Sequence, residues 1–319
     1  MQFTNIKAKI SEFFNSKSGK LLLTWLQRFI TLGVIIWLGL ELSKVGWGNV
    51  WKSLPTQPLF YLIFILFFFQ LPIMEAIVYK ITWPISVFKS IPAFLQKRVY
   101  NKEVFGYSGE VFLLFWAKSV VGLKGKEAFK TIKDNNIISS VASTIFSVVL
   151  LSIFIFTDQI KVLDWLFEKS AVYYSIAAIT FIVVSILIYR FRRVIISMNL
   201  NNALKVFTLL SFRLLLVQIL NLLMYYVVLP DVPLYTWFIY IALEIVISRI
   251  PFLPNRDVIY TSMSISIAST MIVSQEEIAG IMLAKLALNK VGSLISFLYA
   301  KWASKNNPPI IEEPSEITS

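Results

Sequence analysis

The sequence predicts an all-α, polytopic integral membrane protein with about seven spanning helices and two interrupted or re-entrant half-segments. Three observations carry this expectation. Of the 319 residues, 57% are hydrophobic and the mean hydropathy is +0.72. Apolar runs of roughly 18 residues or more recur along the chain, the length a helix needs to cross hydrocarbon. Stretches rich in Lys and Arg alternate with stretches poor in them, as the positive-inside rule requires.

In chain order, residues 1–20 form a basic N-terminus with Lys7, Lys9, Lys17 and Lys20. The first apolar run continues far enough to span, so no cleaved signal peptide is expected. Residues 21–303 read as a single polytopic membrane domain. Spans are expected at 29–42 and 57–78. The next stretch, ITWPISVFKSIPAFLQKRVYNK, mixes prolines with charges and fits an interfacial or partly inserted segment. A half-length apolar segment follows at 109–122. A basic run with Lys124, Lys126, Lys130 and Lys133 then leads helically into a third span at 137–157. The acidic loop TDQIKVLDWLFEK precedes a fourth span at 171–189, closed by RFRR. A fifth span covers 204–229, PDVP makes a tight turn, and a sixth covers 234–250. A second interrupted segment occupies 251–273, and the last apolar helix runs 277–300. Residues 304–319, rich in Pro and Glu, are expected to be disordered, and no soluble domain is expected.

The basic stretches are the N-terminus, 79–102, 118–133 and 190–205. The poor loops are 41–56, 158–169 and the turn at Asp231. This alternation puts the N-terminus on the cytoplasmic side of the cytoplasmic (inner) membrane and leaves the C-terminal side open. The net charge of +12 then reads as cytoplasmic loops facing anionic headgroups, and no nucleic-acid partner is expected. The chain has no cysteine and no histidine. That excludes disulfides, thiol nucleophiles, Cys/His zinc sites and His-based triads. There is no glycine-rich phosphate loop and no EF-hand pattern. No cofactor and no metal are expected.

The two short segments can be laid beside each other. In GEVFLLFWAKSVVGLKGKEAF the run opens on Glu110, breaks, and resumes at Glu127. In RDVIYTSMSISIASTMIVSQEEIAG it opens on Asp257, breaks, and resumes at Glu277. The pairing suggests a weak internal repeat, about 57–157 and 204–300. Interrupted hydrophobic segments in matching places of two halves point to a transporter-like central site. A half-helix leaves backbone groups unpaired at membrane depth, which is tolerable only where protein or a wet cavity covers them. The even number of spans between the two segments puts them on the same side, unlike an inverted repeat.

This layout resembles the transmembrane, flippase-like domain of the lysylphosphatidylglycerol synthase family, in a stand-alone form without the aminoacyltransferase domain. Gly109 and Glu110 match that family's Gly-Glu, and Asp134 falls near its acidic-Arg position. Pro254 and Asp257 match the second-half Pro and acid, and Lys290 sits at the late basic position. The sequence departs from the pattern at Tyr107 and Ser108, at Leu113 in place of an Arg, and at Asn255 and Arg256 in place of glycines. The resemblance implies a lipid-translocating domain that does not synthesise an aminoacyl lipid.

Ionisable residues inside spans are costly, so each is a candidate. The lipid-binding or transport candidates are Glu110, Lys118, Arg213, Glu244, Asp257 and Lys290. Glu110 and Asp257 open the half-segments, where a helix dipole stabilises a carboxylate whether or not it binds anything. Lys118 lies eight residues after Glu110, about 80° away around a helix, and is read as extending one polar stripe from it. Arg213 sits deep in the fifth span, where a guanidinium can grip phosphate. Its structural alternative is an ion pair with Glu244. Lys290 can hold a phosphate or simply face Glu244, while Lys285 snorkels. Glu75, after Pro72, is expected to pair with Lys80 or water. Gln70 and Gln218 read as interhelical hydrogen-bond glue.

The leading expectation is a non-enzymatic protein that binds an anionic or phosphate-bearing lipid and flips it across the membrane. Two alternatives stand beside it. One is a membrane enzyme transferring a group to or from a lipid-linked substrate, with Glu127, Glu276 or Glu277 as base. The other is a non-catalytic scaffold whose charges pair only with one another. The oligomeric state is left open.

Overall fold

A computed structural model describes residues 47–104, 106–156, 196–249 and 255–306, with isolated positions 36, 40 and 43. Among these every regular element is helical and there is no strand. The helices are α1 (Trp47–Lys52), α2 (Pro58–Lys80), α3 (Val87–Val99), α4 (Ser108–Ser119), α5 (Gly125–Phe156), α6 (Leu200–Val228), α7 (Leu234–Arg249), α8 (Arg256–Ala268) and α9 (Gln275–Asn306). A single π-helical turn, Tyr100–Val104, follows α3.

Three of these are long and apolar enough to cross a membrane: α2, α6, and α9 from Gln275 to Ala303. Their outward faces carry large apolar side chains. Leu62, Ile65 and Leu66 on α2, Leu215 and Ile219 on α6, and Leu294 and Leu298 on α9 are all exposed. Such surfaces suit hydrocarbon as the solvent and would be a liability in water. The expected spans 29–42 and 171–189 lie outside the described residues, as does the tail from 307. The sixth expected span is the shorter helix α7, of 16 residues. The third is continuous with its basic lead, since α5 runs unbroken from Gly125 to Phe156.

The described chain divides into two compact units, Thr56–Ile245 with Ala287–Ser319, and Met1–Pro55 with Val246–Leu286. In the larger unit α2 packs on α3 and α6, α5 packs on α6, and α4 packs on α3 and α5. Proline at the first turn of α2 suits a position whose N–H has no helical partner. Pro72, inside the same helix, deprives the Phe68 carbonyl of its usual donor. One core cluster joins Tyr79 and Trp83 to Phe94 of α3, Leu113 and Ala117 of α4, and Ile132 of α5. A second joins Val78, Ile138, Ala142, Val206 and Leu210 across α2, α5 and α6. Asp134, buried in α5, accepts the backbone N–H groups of Ser197 and Met198 at 2.8 Å and so fixes the start of α6. Asn199 caps that helix by accepting from the Asn202 N–H.

The smaller unit holds α1, α8 and the first turns of α9. Thr261 and Ser262 are buried in α8, and their hydroxyls donate to the carbonyls of Asp257 and Val258 one turn back. Gly280 of α9 meets the Ser53 carbonyl, where any Cβ would overlap it. Lys285 is buried, with its ammonium 5.9 Å from the centre of the Tyr260 ring. The expectation that Lys285 snorkels to water is therefore corrected: an aromatic face receives the charge.

Candidate functional site

The two half-segments are real short helices, α4 of 12 residues and α8 of 13. Each starts after a residue in left-handed backbone conformation, Tyr107 at φ 72° and Asn255 at φ 48°. Glycine is at ease there and a side chain is not, least of all a bulky one.

That reversal builds a buried charge cluster. The chain leaves α3, makes the π turn, reverses at Tyr107 and re-enters as α4. Ser108 Oγ donates to the Tyr100 carbonyl at 2.7 Å, and the Gly109 N–H donates to Asn101 Oδ1 at 2.7 Å. A Cβ at Gly109 would overlap the Lys97 carbonyl oxygen. Only glycine lets α4 start this close to the end of α3. The next residue, Glu110, then reaches Lys97: Nζ to Oε1 is 3.4 Å. From α2, Glu75 Oε1 reaches the same ammonium at 2.6 Å.

Lys97 is 2% exposed. Burial pulls its pKa down, but Glu75, Tyr79 and Glu110 more than offset that and hold it above the usual lysine value. The ammonium therefore stays charged throughout the physiological range. Glu110 Oε2 is buried and has no hydrogen-bond partner among the described residues. Arg213 of α6 has its Nε buried and likewise without a partner, and the carboxylate acting on it is Glu75. Arg98, next in sequence, donates from Nη2 to Asn289 Oδ1 at 3.1 Å and lies 3.7 Å over the Phe68 ring.

No family model, no curated protein and no solved structure matches this chain.

Of the candidates read from the sequence, Glu110 shares the Lys97 ammonium with Glu75, and Arg213, on α6, feels the Glu75 carboxylate electrostatically. Lys118 does not form a stripe with Glu110. It is exposed, and its methylene chain runs past Gly125 while Glu110 turns inward. Glu244 accepts from Asn221 Nδ2 at 3.0 Å, and the carboxylate that acts electrostatically on Arg213 is Glu75 rather than Glu244. Lys290 pairs with Glu103 at 2.6 Å, not with Glu244. Asp257 opens α8 in the smaller unit, with Oδ2 buried. Glu75 pairs with Lys97 and not with Lys80, which corrects the reading of a carboxylate facing water.

The residue missed is Lys97. The stretch 79–102 looks interfacial by composition, yet Lys97 and Arg98 are buried. A signal existed. Ser90, Ala93, Phe94 and Lys97 fall at helical spacing on one face, and all four are buried. The prolines at 84 and 92 obscured the helical period. Among the described residues no three potential metal ligands converge. What the cluster offers chemically is a buried guanidinium donor at Arg213 and a buried acceptor oxygen at Glu110.

Proposed function

We propose that this protein binds a phosphate-bearing lipid and carries its headgroup across the cytoplasmic membrane. The reading takes the chain as polytopic, with about seven spans and a cytoplasmic N-terminus. The observation that carries it is Arg213. A guanidinium lies within a span-length apolar helix, its Nε buried and unbonded, balanced by a carboxylate on another helix. Such a charge is expensive in hydrocarbon and, when it is retained, marks a substrate path. Its planar donors suit a phosphodiester. The half-helices support the same reading, because interrupted helices are tolerated at membrane depth where they line a cavity. The resemblance of the sequence layout to the flippase-like domain of the lysylphosphatidylglycerol synthases is in keeping with it.

The test is mass spectrometry of lipids retained by the gently purified protein, alongside headgroup translocation in proteoliposomes. One enriched phospholipid or polyprenyl phosphate, lost in Arg213→Ala, is the expected result. Bulk lipid unchanged by the substitution, with no translocation above protein-free vesicles, would move the cluster to a purely structural role. Turnover of a lipid-linked donor by the purified protein would instead make it a transferase.

A further inference from the structure

We infer that α3 and α4 form a re-entrant hairpin whose tip stands at mid-bilayer, at the bottom of a water-filled vestibule that opens on the side opposite the hairpin's feet. This requires only that α2 and α9 span a membrane; it holds with or without a lipid cargo.

Both feet lie at the end of α2 that carries Lys80. α3 follows α2 across the short turn 81–86. The end of α4 returns to the same place. Trp116 lies 6.4 Å from Trp83, and Ala117 and Val121 share one core cluster with Tyr79, Ile85 and Ala128. The Lys118 methylenes then pass Gly125, the first residue of α5. Lys118, Lys124 and Lys126 are exposed around these feet, as suits a headgroup layer.

The tip reaches the middle. Arg98, at the far end of α3, lies 3.7 Å over the Phe68 ring and donates to Asn289 Oδ1 at 3.1 Å. Phe68 is near the midpoint of α2, and Asn289 is near the midpoint of the stretch Gln275–Ala303. Two span-length helices thus place Arg98 at half depth independently. At 1.5 Å per residue, α3 rises about 20 Å, over half of a hydrocarbon core of about 30 Å. The turn from Tyr100 to Tyr107 follows directly.

At that depth a chain reversal is tolerated only where protein buries it or water wets it. The described protein does not bury this one. Tyr107 is 64% exposed, and a Cβ at Gly106 would meet nothing within 4 Å. Beside the turn, Lys290 and Glu103 are paired at 2.6 Å with both side chains partly exposed, where hydrocarbon would make each charge costly. On the packed side of the hairpin, by contrast, Lys97 and Arg98 are buried.

Water reaches the tip from the far side. Tyr100 packs on Phe112, one turn along α4 toward its foot, at 5.3 Å, and on Phe297 at 6.3 Å. Behind them Trp83, Phe94 and Leu113 fill the space between the hairpin and α2. These apolar contacts close the hairpin toward its lysine-bearing feet.

The test exploits a chain without cysteine. Single-cysteine variants are reconstituted in vesicles of phosphatidylcholine and phosphatidylglycerol and treated from either side with a charged, membrane-impermeant methanethiosulfonate. Thr56→Cys, just before α2, and Lys126→Cys, at the feet, report the two sides. Leu66→Cys and Leu294→Cys, at exposed apolar positions of α2 and α9, report hydrocarbon. Gly106→Cys should react from the Thr56 side only, at least about tenfold faster than Leu66→Cys. Each unit by which hydrocarbon raises a thiol's pKa removes about tenfold of the reactive thiolate.

Reaction of Gly106→Cys from the Lys126 side, or from neither side, overturns the inference. Thr56→Cys and Lys126→Cys labelled from the same side overturn it too, because α2 then does not span. Should Gly106→Cys fail to fold, Tyr107→Cys carries the same expectation. The full labelling pattern in a protein that neither retains nor translocates lipid leaves the vestibule standing and removes the lipid reading.

Discussion

Lys97 and Glu75 form an ion pair at 2.6 Å between α3 and α2, with Lys97 3% and Glu75 19% exposed at the side chain. The pair ties a short helix to a span-length one and brings the start of a half-helix against both. Glu110 is the second carboxylate on the same ammonium, at 3.4 Å.

Removing one partner should be costly. Lys97→Met leaves Glu75 and Glu110 without their shared ammonium, and breaking a buried pair costs about 3–5 kcal/mol. The double variant Lys97→Met/Glu75→Gln should recover part of that loss. Thermal unfolding in detergent, arranged as a double-mutant cycle, checks this. Equal loss in single and double variants would mean the pair contributes little.

Gly109→Ala should destabilise the protein by about 1–3 kcal/mol, the range of an overpacked position. Its methyl would meet the Lys97 carbonyl and Asn101 Oδ1, which are fixed by helix and hydrogen bond. Asn101→Ala, which removes only the acceptor for the Gly109 N–H, should cost about 1 kcal/mol. A melting temperature unchanged in Gly109→Ala would contradict this close approach.

Lys290 and Glu103 are in contact at 2.6 Å, but their side chains are 44% and 27% exposed. Solvent screening limits such a pair to about 0–1 kcal/mol. Lys290→Gln should therefore melt close to wild type and retain lipid. A large loss of either would show that the latch between the π turn and α9 matters more than its exposure suggests.

Arg213→Ala and Lys118→Ala should separate. The first removes a buried guanidinium near Glu75, the second an exposed ammonium. Loss of retained phospholipid is expected only in the first. The reverse pattern would place the headgroup at the outer end of α4.

The sequence by itself determined the class of protein. Hydrophobic run length and the polar breaks around Glu110 and Asp257 depend only on local composition, so the apolar helices α2, α6 and α9 and the two half-helices were legible before any coordinate. Glu110 and Arg213 stood out for the same reason, as ionisable residues where solvation is dear. Which charge meets which was decided by tertiary structure alone. Glu75 finds Lys97 because α2 and α3 pack side by side. Glu110 joins them because Gly109 permits close contact and Tyr107 accepts a left-handed turn. Lys118, about 80° around α4 from Glu110, is exposed and joins no charge of the cluster. Spacing reports direction around one helix; an ion pair depends on the distance between two, and that is fixed only when the helices pack.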